Sequence, residues 1–398
     1  MNLLELKLGE PVSSKKLTIQ GMTKIFDVYR IPIEHLIYNK KNGRIATYVS
    51  QFIDEGNEFP IGDNEAFNKI IEDYIEKSNP DALKKTKANI KIMSQTEPAV
   101  VLANGVVLDG NRRFTSLRQL SREGAGAEFS YLEAVILENG NYTEKDIKRL
   151  ELNLQHAVES KVDYNPIDRL VDIYRDLIEE GGTFSPEEYA RETQMTLNKV
   201  KEEIAIANLM VEYLDYVRQP LKFYIARDQK IDGPIREIYK ILKSKNIDLD
   251  RIEDIKEFLF LNILSLGGDI SRRIREIRSV IEDGKLSTEL FNELDESQIL
   301  DDANDYFEDE KTKELVSSTK VLNLDKGIKT AITQVTENYV ESKKLSNAQN
   351  QPVEMLKKAQ NIIKEIDKDA VERMNSELQA TFISIVEKIQ NELNGLSS

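Results

Sequence analysis

The chain has no cysteine and only two histidines, His35 and His156. Without thiols it forms neither a disulfide nor a thiolate metal site, and two histidines leave little from which to assemble a zinc centre. No apolar run is long enough to span a bilayer. The opening MNLLELKLGE lacks the basic flank, long apolar core and small-residue cleavage site of a signal peptide. A cytoplasmic protein with no membrane association is therefore expected. Basic charge is also in the minority, 55 Lys and Arg against 70 Asp and Glu, for a formal net charge of −15. That balance disfavours indiscriminate coating of nucleic acid, where neutralisation of phosphates by Lys and Arg supplies most of the affinity. No internal repeat or low-complexity tract is present.

Of what is there, residues 100–120, VVLANGVVLDGNRRFTSLRQL, say most. Asn104-Gly105 between two β-branched runs is a two-residue hairpin signal, which predicts antiparallel strands over 100–103 and 106–108. Gly110 then ends the second strand in a conformation open to positive φ. Arg112 and Arg113 enter the first turn of a helix whose free N–H groups favour anions. Cations at that end oppose the helix dipole, so their presence points to an external anion. The competing reading is a pair of solvated arginines on a surface helix. Asp109 is either a turn-former before glycine or a carboxylate able to bind a metal or act as general base.

Strand, turn and helix with Asp109-Gly110-Asn111-Arg112-Arg113 resemble the signature box of the ParB/sulfiredoxin superfamily, where ParB proteins usually carry G-E-R-R and sulfiredoxins G-C-H-R. Glu97-Pro98 opens the hairpin as Gln-Pro does in ParB proteins. Residues 31–45, IPIEHLIYNKKNGRI, resemble the family's opening strand and its Asn-x-Arg segment. Leu152-Asn153-Leu154-Gln155-His156 lies where ParB proteins carry E-N-x-x-R, and Asn165-Pro166-Ile167 repeats the family's Asn-Pro-Ile before a helix. The resemblance covers roughly residues 31–214. It implies a nucleotide site in which Gly110, Asn111, Arg112 and Arg113 hold phosphates, Asn153 supports them from the neighbouring helix, and Thr115 or Ser116 adds a hydroxyl. CTP or ATP with Mg²⁺ is the implied cofactor, with Asp109 as the candidate metal ligand.

The boxes also depart from the family. Asn111 replaces the glutamate of the arginine box, Leu152 the glutamate of the second box, and His156 its arginine. Loss of a carboxylate at Leu152 removes a hard oxygen ligand suited to Mg²⁺, so hydrolysis is in more doubt than binding. Glu151 lies one residue, about 100° of helix, away. Sulfiredoxin chemistry is excluded, since it needs a cysteine in the arginine box.

Residues 184–210 predict a helix-turn-helix. Ser185, Pro186 and Glu188 form a capping-box start, and Thr196 can cap a second helix. Leu197, Val200 and Ile204 would face inward, leaving Asn198, Lys199 and Lys201 near the end where a recognition helix meets base edges. Glu202 and Glu203 would repel phosphates unless they face away. A DNA-contacting basic surface is expected over 217–245, including Arg218, Lys222 and Arg227, with Phe223, Tyr224 and Tyr239 interleaved; an amphipathic segment with a solvated lysine face is the alternative. Arg272, Arg273, Arg275 and Arg278 form a second basic cluster.

Residues 47–95 are a long, mostly helical insert, either a lid over the nucleotide site, a partner surface or a passive elaboration. Candidate helices follow at 248–264, 269–282 and 298–316, separated by Gly267-Gly268 and Gly284. The acidic stretch 292–314 is expected to be a solvated connector that also masks the basic surface when DNA is absent. A last helix over 353–394 carries an apolar stripe at Val371, Met374, Leu378, Phe382, Ile385, Ile389 and Leu393, with an eleven-residue period.

The fold expected is α+β: a ParB/sulfiredoxin-like N-terminal α/β domain (1–135), a helix-turn-helix middle domain (136–215), a helical domain (216–330) and a C-terminal helical self-association segment (331–398). The expected function is a nucleotide-switched, DNA-binding homodimer in partition, plasmid or phage biology, or defence, with an ATPase among its partners. Two alternatives stay open: a nuclease or phosphotransferase on the same scaffold, and an interaction module that has lost the nucleotide.

Overall fold

The computed structural model describes residues 2–157, 165–309, 312 and 324–396. They divide into two compact units, Met1–Gln334 and Val335–Ser398.

The first unit is built on a mixed six-stranded sheet among its described residues, in the order β1-β2-β6-β4-β5-β3. Strand β1 (Ser13–Ile19) pairs antiparallel with β2 (Met22–Pro32). Gln20 and Gly21, both at positive φ, make the two-residue turn between them, as a hairpin matched to strand twist requires. The short β3 (Ile37–Tyr38) runs parallel to β5 (Val106–Asp109), and β4 (Ala99–Leu102) runs parallel to β6 (Tyr131–Leu137). Side chains alternate between two cores. Ala99, Val101, Val107, Leu132 and Ala134 join one with Phe114 and Leu117; Val100, Leu102, Leu108, Val135 and Leu137 join the other with Leu17 and Leu150. Burial on both faces explains why β4 and β5 read as nearly continuous apolar runs.

The β4–β5 hairpin is present, but its turn differs from the two-residue expectation. Val101 pairs with Val107, which leaves Ala103-Asn104-Gly105 as a three-residue loop, and the register slips by one between Val100 and Val101. Gly105 is fixed here by close approach: a Cβ would stand 2.5 Å from the His35 carbonyl, and the Gly105 carbonyl accepts from the Ile37 amide at 2.9 Å.

The insert forms α1 (Ala46–Asp54), α2 (Asn64–Ser78) and α3 (Pro80–Met93), and α4 (Asn111–Arg122) packs against both α2 and α3. Then come α5 (Glu144–Ala157), α6 (Pro166–Ile173) running into a π-helical turn at Tyr174–Ile178, α7 (Pro186–Thr193) and α8 (Leu197–Tyr216). The Ser185/Glu188 capping box and the Thr196 cap form as the sequence predicts. Beyond them lie α9 (Phe223–Asp228), α10 (Asp232–Leu242), α11 (Ile252–Ser265), α12 (Ile270–Ile281), α13 (Gly284–Ser297) and α14 (Ile299–Glu308). Gly284 begins a helix instead of separating two, because the Asp283 side chain accepts from the Lys285 and Leu286 amides. Within the acidic stretch, Leu294, Ile299, Leu300, Ala303 and Phe307 are buried, so residues 292–308 are packed helix and not a solvated connector. Most of its continuation, residues 310–311 and 313–314, lies outside the described residues.

Helix α15 (Lys326–Lys364) runs into the second unit, which also holds α16 (Lys368–Glu372) and α17 (Ser376–Leu396). The single helix expected over 353–394 is therefore interrupted twice. Asp367 caps α16 by accepting from the Asp369 amide, and the Asn375 side chain accepts from the Leu378 amide at the start of α17. These local acceptors compete with helix continuation. No helix among the described residues is long and apolar enough to cross a membrane.

Candidate functional site

Gly110 is the N-cap of α4 at φ 98°, ψ 18°, a left-handed conformation. A Cβ there would lie 2.8 Å from the Ala99 Cβ and 3.0 Å from Arg113 Nη2, so both backbone conformation and space call for glycine. This turn and the first residues of α4 line a cleft of about 230 Å³. The cleft gathers three segments far apart in sequence: Asn42 and Arg44 after β3, residues 108–113, and Glu151 and Leu154 from α5. Lys15 of β1, Glu97, and Ile75, Ser78 and Thr86 of the insert complete its walls.

Arg112 and Arg113 play different parts. Arg113 donates through Nη2 to Asp109 Oδ2 at 2.8 Å and through Nη1 to the Glu97 carbonyl, which folds it against its own turn. Asp109, the candidate metal ligand, is thus engaged by an arginine. Arg112 is half-buried on the cleft wall. Asn111 is 8% exposed, and its Oδ1 is buried without a hydrogen-bond partner among the described residues. Lys15 donates to the Pro98 carbonyl at 2.6 Å. Burial lowers the pKa of its ammonium group, opposed by Asp109 and reinforced by Arg113.

The two hydroxyls expected at the site lie elsewhere. Thr115 is fully buried, donates to the Asn111 carbonyl and shares a 2.8 Å hydrogen bond with the Tyr38 hydroxyl. Ser116 is likewise buried and donates to the Arg112 carbonyl. Asn153 donates to Glu192 at 3.2 Å, which ties α5 to α7 instead of reaching the cleft. Leu152 is buried. The carboxylate that α5 presents to the cleft is Glu151, one position before the box read from sequence. Burial pushes it up to about 7, with Lys148 opposing and Asp172 and Asp176 adding to the rise; Asn39 Nδ2 donates to it. The His156 side chain lies outside the described residues. His35 sits in the 3-10 turn Ile33–His35 beside Glu34. Among the described residues no group of three or more His, Cys, Asp or Glu side chains is placed to hold a metal ion.

The candidate DNA-contacting residues also divide. Asn198 and Lys201 are exposed on the first turns of α8. Lys199 is paired with Glu202 at 2.6 Å and Glu203 at 3.0 Å. Glu203 faces inward, where Arg236 grips both its oxygens at 2.8 Å. Burial works against that carboxylate's charge, but Arg236 and Lys199 override it and hold its pKa at about 2. In the basic stretch, Arg227 lies 3.9 Å from the Tyr48 ring centroid and donates to Thr47 and Gln51. Lys222 pairs with Asp54. Arg218 pairs with Glu308, which brings the acidic stretch onto this segment. Arg227 and Lys222 thus fasten α1 to the segment around α9, whereas Arg218 is itself exposed; charge alone carries no direction, so the sequence does not separate them. Lys15 and the insert residues were missed for the same reason: nothing local to them marks a cleft.

Fold and cleft define an α+β protein with a mixed sheet and a polar, arginine-bearing cleft at the N-terminus of a helix. No family model matches the chain, and no curated protein does. Among solved structures, a Pnob8-like ParB-N domain in its C2221 crystal form is similar, at 12% sequence identity, covering 67% of this chain and 97% of that one with a TM-score of 0.34.

Proposed function

We propose that this chain is a ParB-like DNA-binding protein whose N-terminal cleft binds a nucleoside triphosphate, CTP or ATP with Mg²⁺, as a conformational switch. One observation carries the reading: Asn42, Arg44, residues 109–113 and Glu151 meet in a single cleft at the glycine-capped start of α4. Free helix N–H groups and a guanidinium there favour an anion with several oxygens. Arg112, with Arg44 and Lys15, would take the phosphates, and Arg113 would hold the Asp109–Gly110 turn in shape. The magnesium ion would arrive with the nucleotide, neutralising phosphate charge.

DNA would be met by α8, through Asn198 and Lys201. The exposed apolar residues Leu378, Ile385 and Leu393 of α17 support self-association through the second unit. A ligand acts as a switch only through different affinities for two states, and a cleft lined by residues of both α4 and α5 gives it two elements through which to favour one of them. The enzyme reading is weaker, since Asp109 is committed to Arg113.

The test is retention of mixed-sequence duplex DNA by the full chain with CTP, ATP, GTP or none. One nucleotide is expected to change retention, and the Arg112→Ala protein to be unresponsive. Identical retention under all four conditions would contradict the switch.

A further inference from the structure

The cleft has two walls of opposite hydrogen-bonding character. The α4 side carries the helix N-terminus and the Arg112 donor, with the Asp109 carboxylate taken up by Arg113. The insert side presents acceptors. Ser78, which follows Ile75 at the end of α2, donates its hydroxyl proton to the Ile75 carbonyl at 2.8 Å; Thr86 of α3 donates to the Ala82 carbonyl at 2.9 Å. With each proton spent on its own helix, the oxygen lone pairs are what remain for a ligand. No aromatic ring lines the cleft among the described residues, so a base would be read by hydrogen bonds and not by stacking.

The two walls are locked in register. Arg118 of α4 is 6% exposed; its Nε donates to Glu72 at 2.9 Å and its other nitrogens to Glu65 at 2.7 and 3.0 Å, both on α2. Arg122 adds a second contact to Glu72. A planar, bidentate guanidinium sets spacing as well as affinity. The width between the phosphate side and the insert side is thereby fixed before any ligand arrives.

From this geometry we infer that the insert, through Ser78 and Thr86, is the specificity wall of the cleft and takes the nucleoside end of the ligand by accepting hydrogen bonds from its amino or hydroxyl groups. The inference rests on the proposed nucleotide reading, which needs only the phosphate side. It makes the long insert part of the site and neither a lid nor a passive elaboration.

The experiment is calorimetric titration of the full chain with CTP, ATP and inorganic tripolyphosphate in magnesium buffer. It compares the natural protein with Ser78→Ala/Thr86→Val and with Thr86→Ser, which keeps the hydroxyl. A nucleoside triphosphate should bind more tightly than tripolyphosphate. The double variant should lose about tenfold in that affinity, the worth of two modest hydrogen bonds, while tripolyphosphate affinity stays the same. Thr86→Ser should bind like the natural protein, which separates hydroxyl loss from misfolding. Equal weakening of all ligands, an unchanged double variant, or tripolyphosphate binding as well as the nucleotides do would overturn the inference while leaving the phosphate side standing. Binding of no ligand by the natural protein would remove both.

Discussion

Arg113 Nη2 donates to Asp109 Oδ2 at 2.8 Å across the turn of α4, while its neighbour Arg112 lines the cleft. Arg113→Ala removes a charge-assisted hydrogen bond and a bond to the Glu97 carbonyl, and is expected to destabilise the chain by about 1.5–3 kcal/mol. Urea unfolding of the variant checks this, and an unchanged midpoint would mean that Arg113 does not hold the turn.

Gly110 should tolerate no side chain. Gly110→Ala meets both the left-handed φ of 98° and a 2.8 Å approach to the Ala99 Cβ. A loss of about 1–3 kcal/mol for the strained backbone is expected, with more if the Ala99 contact cannot relax. An unfolding midpoint equal to that of the natural protein would refute the geometry of the turn.

Asp168 gives the fold a pH signature. Its Oδ1 accepts the Thr47 amide at 3.0 Å at the start of α1, whereas its buried Oδ2 has no partner among the described residues. Burial pushes the carboxyl up to about 7, opposed by the Thr47 hydrogen bonds. In the unfolded chain it ionises near the ordinary Asp value of about 4. Between those two values the folded state holds a proton that the unfolded state has lost, so stability contributed at low pH is lost as pH rises to about 7 and is level beyond. Asp168→Asn keeps the acceptor for Thr47 without the charge. It should be more stable than the natural protein at pH 8, by up to about 4 kcal/mol, with the gap closing below pH 4. A gap independent of pH would sink the assignment.

Surface and structural cations should separate in binding assays. Asn198→Ala and Lys201→Ala are expected to weaken retention of DNA several-fold with little change in unfolding midpoint, Lys201 losing roughly one unit of salt slope as a phosphate contact. Arg227→Ala should behave oppositely, lowering the midpoint through the lost Tyr48, Thr47 and Gln51 contacts while the folded protein binds DNA normally. Reversed results would return the basic stretch to the DNA surface.

Legibility followed the range of the interactions. The hairpin at 100–108, the glycine before α4 and the Ser185 and Thr196 caps are local, and their residues name them directly. Gln20-Gly21 makes the β1–β2 turn at positive φ, but Gln-Gly is a weaker hairpin signal than Asn-Gly, and no alternating pattern stands clearly on both sides of it. The breaks at Asp367 and Asn375 were likewise local, yet the apolar stripe outvoted them. What could not be read was direction across the fold. Arg227 faces Tyr48 because α9 packs on α1, nearly two hundred residues earlier in the chain, and Glu203 is inward because α10 supplies Arg236. In the cleft, the arginine box was legible as a motif, but the choice of Arg112 over Arg113, of Glu151 over position 152, and of the insert as a wall depends on packing partners distant in sequence.

The most direct measurement is calorimetric titration of CTP, ATP and GTP into the natural chain and Arg112→Ala in magnesium buffer. The account predicts saturable binding of at least one nucleotide, lost in Arg112→Ala with the fold retained by circular dichroism. Undiminished binding in the variant, or no binding to the natural chain, would contradict it.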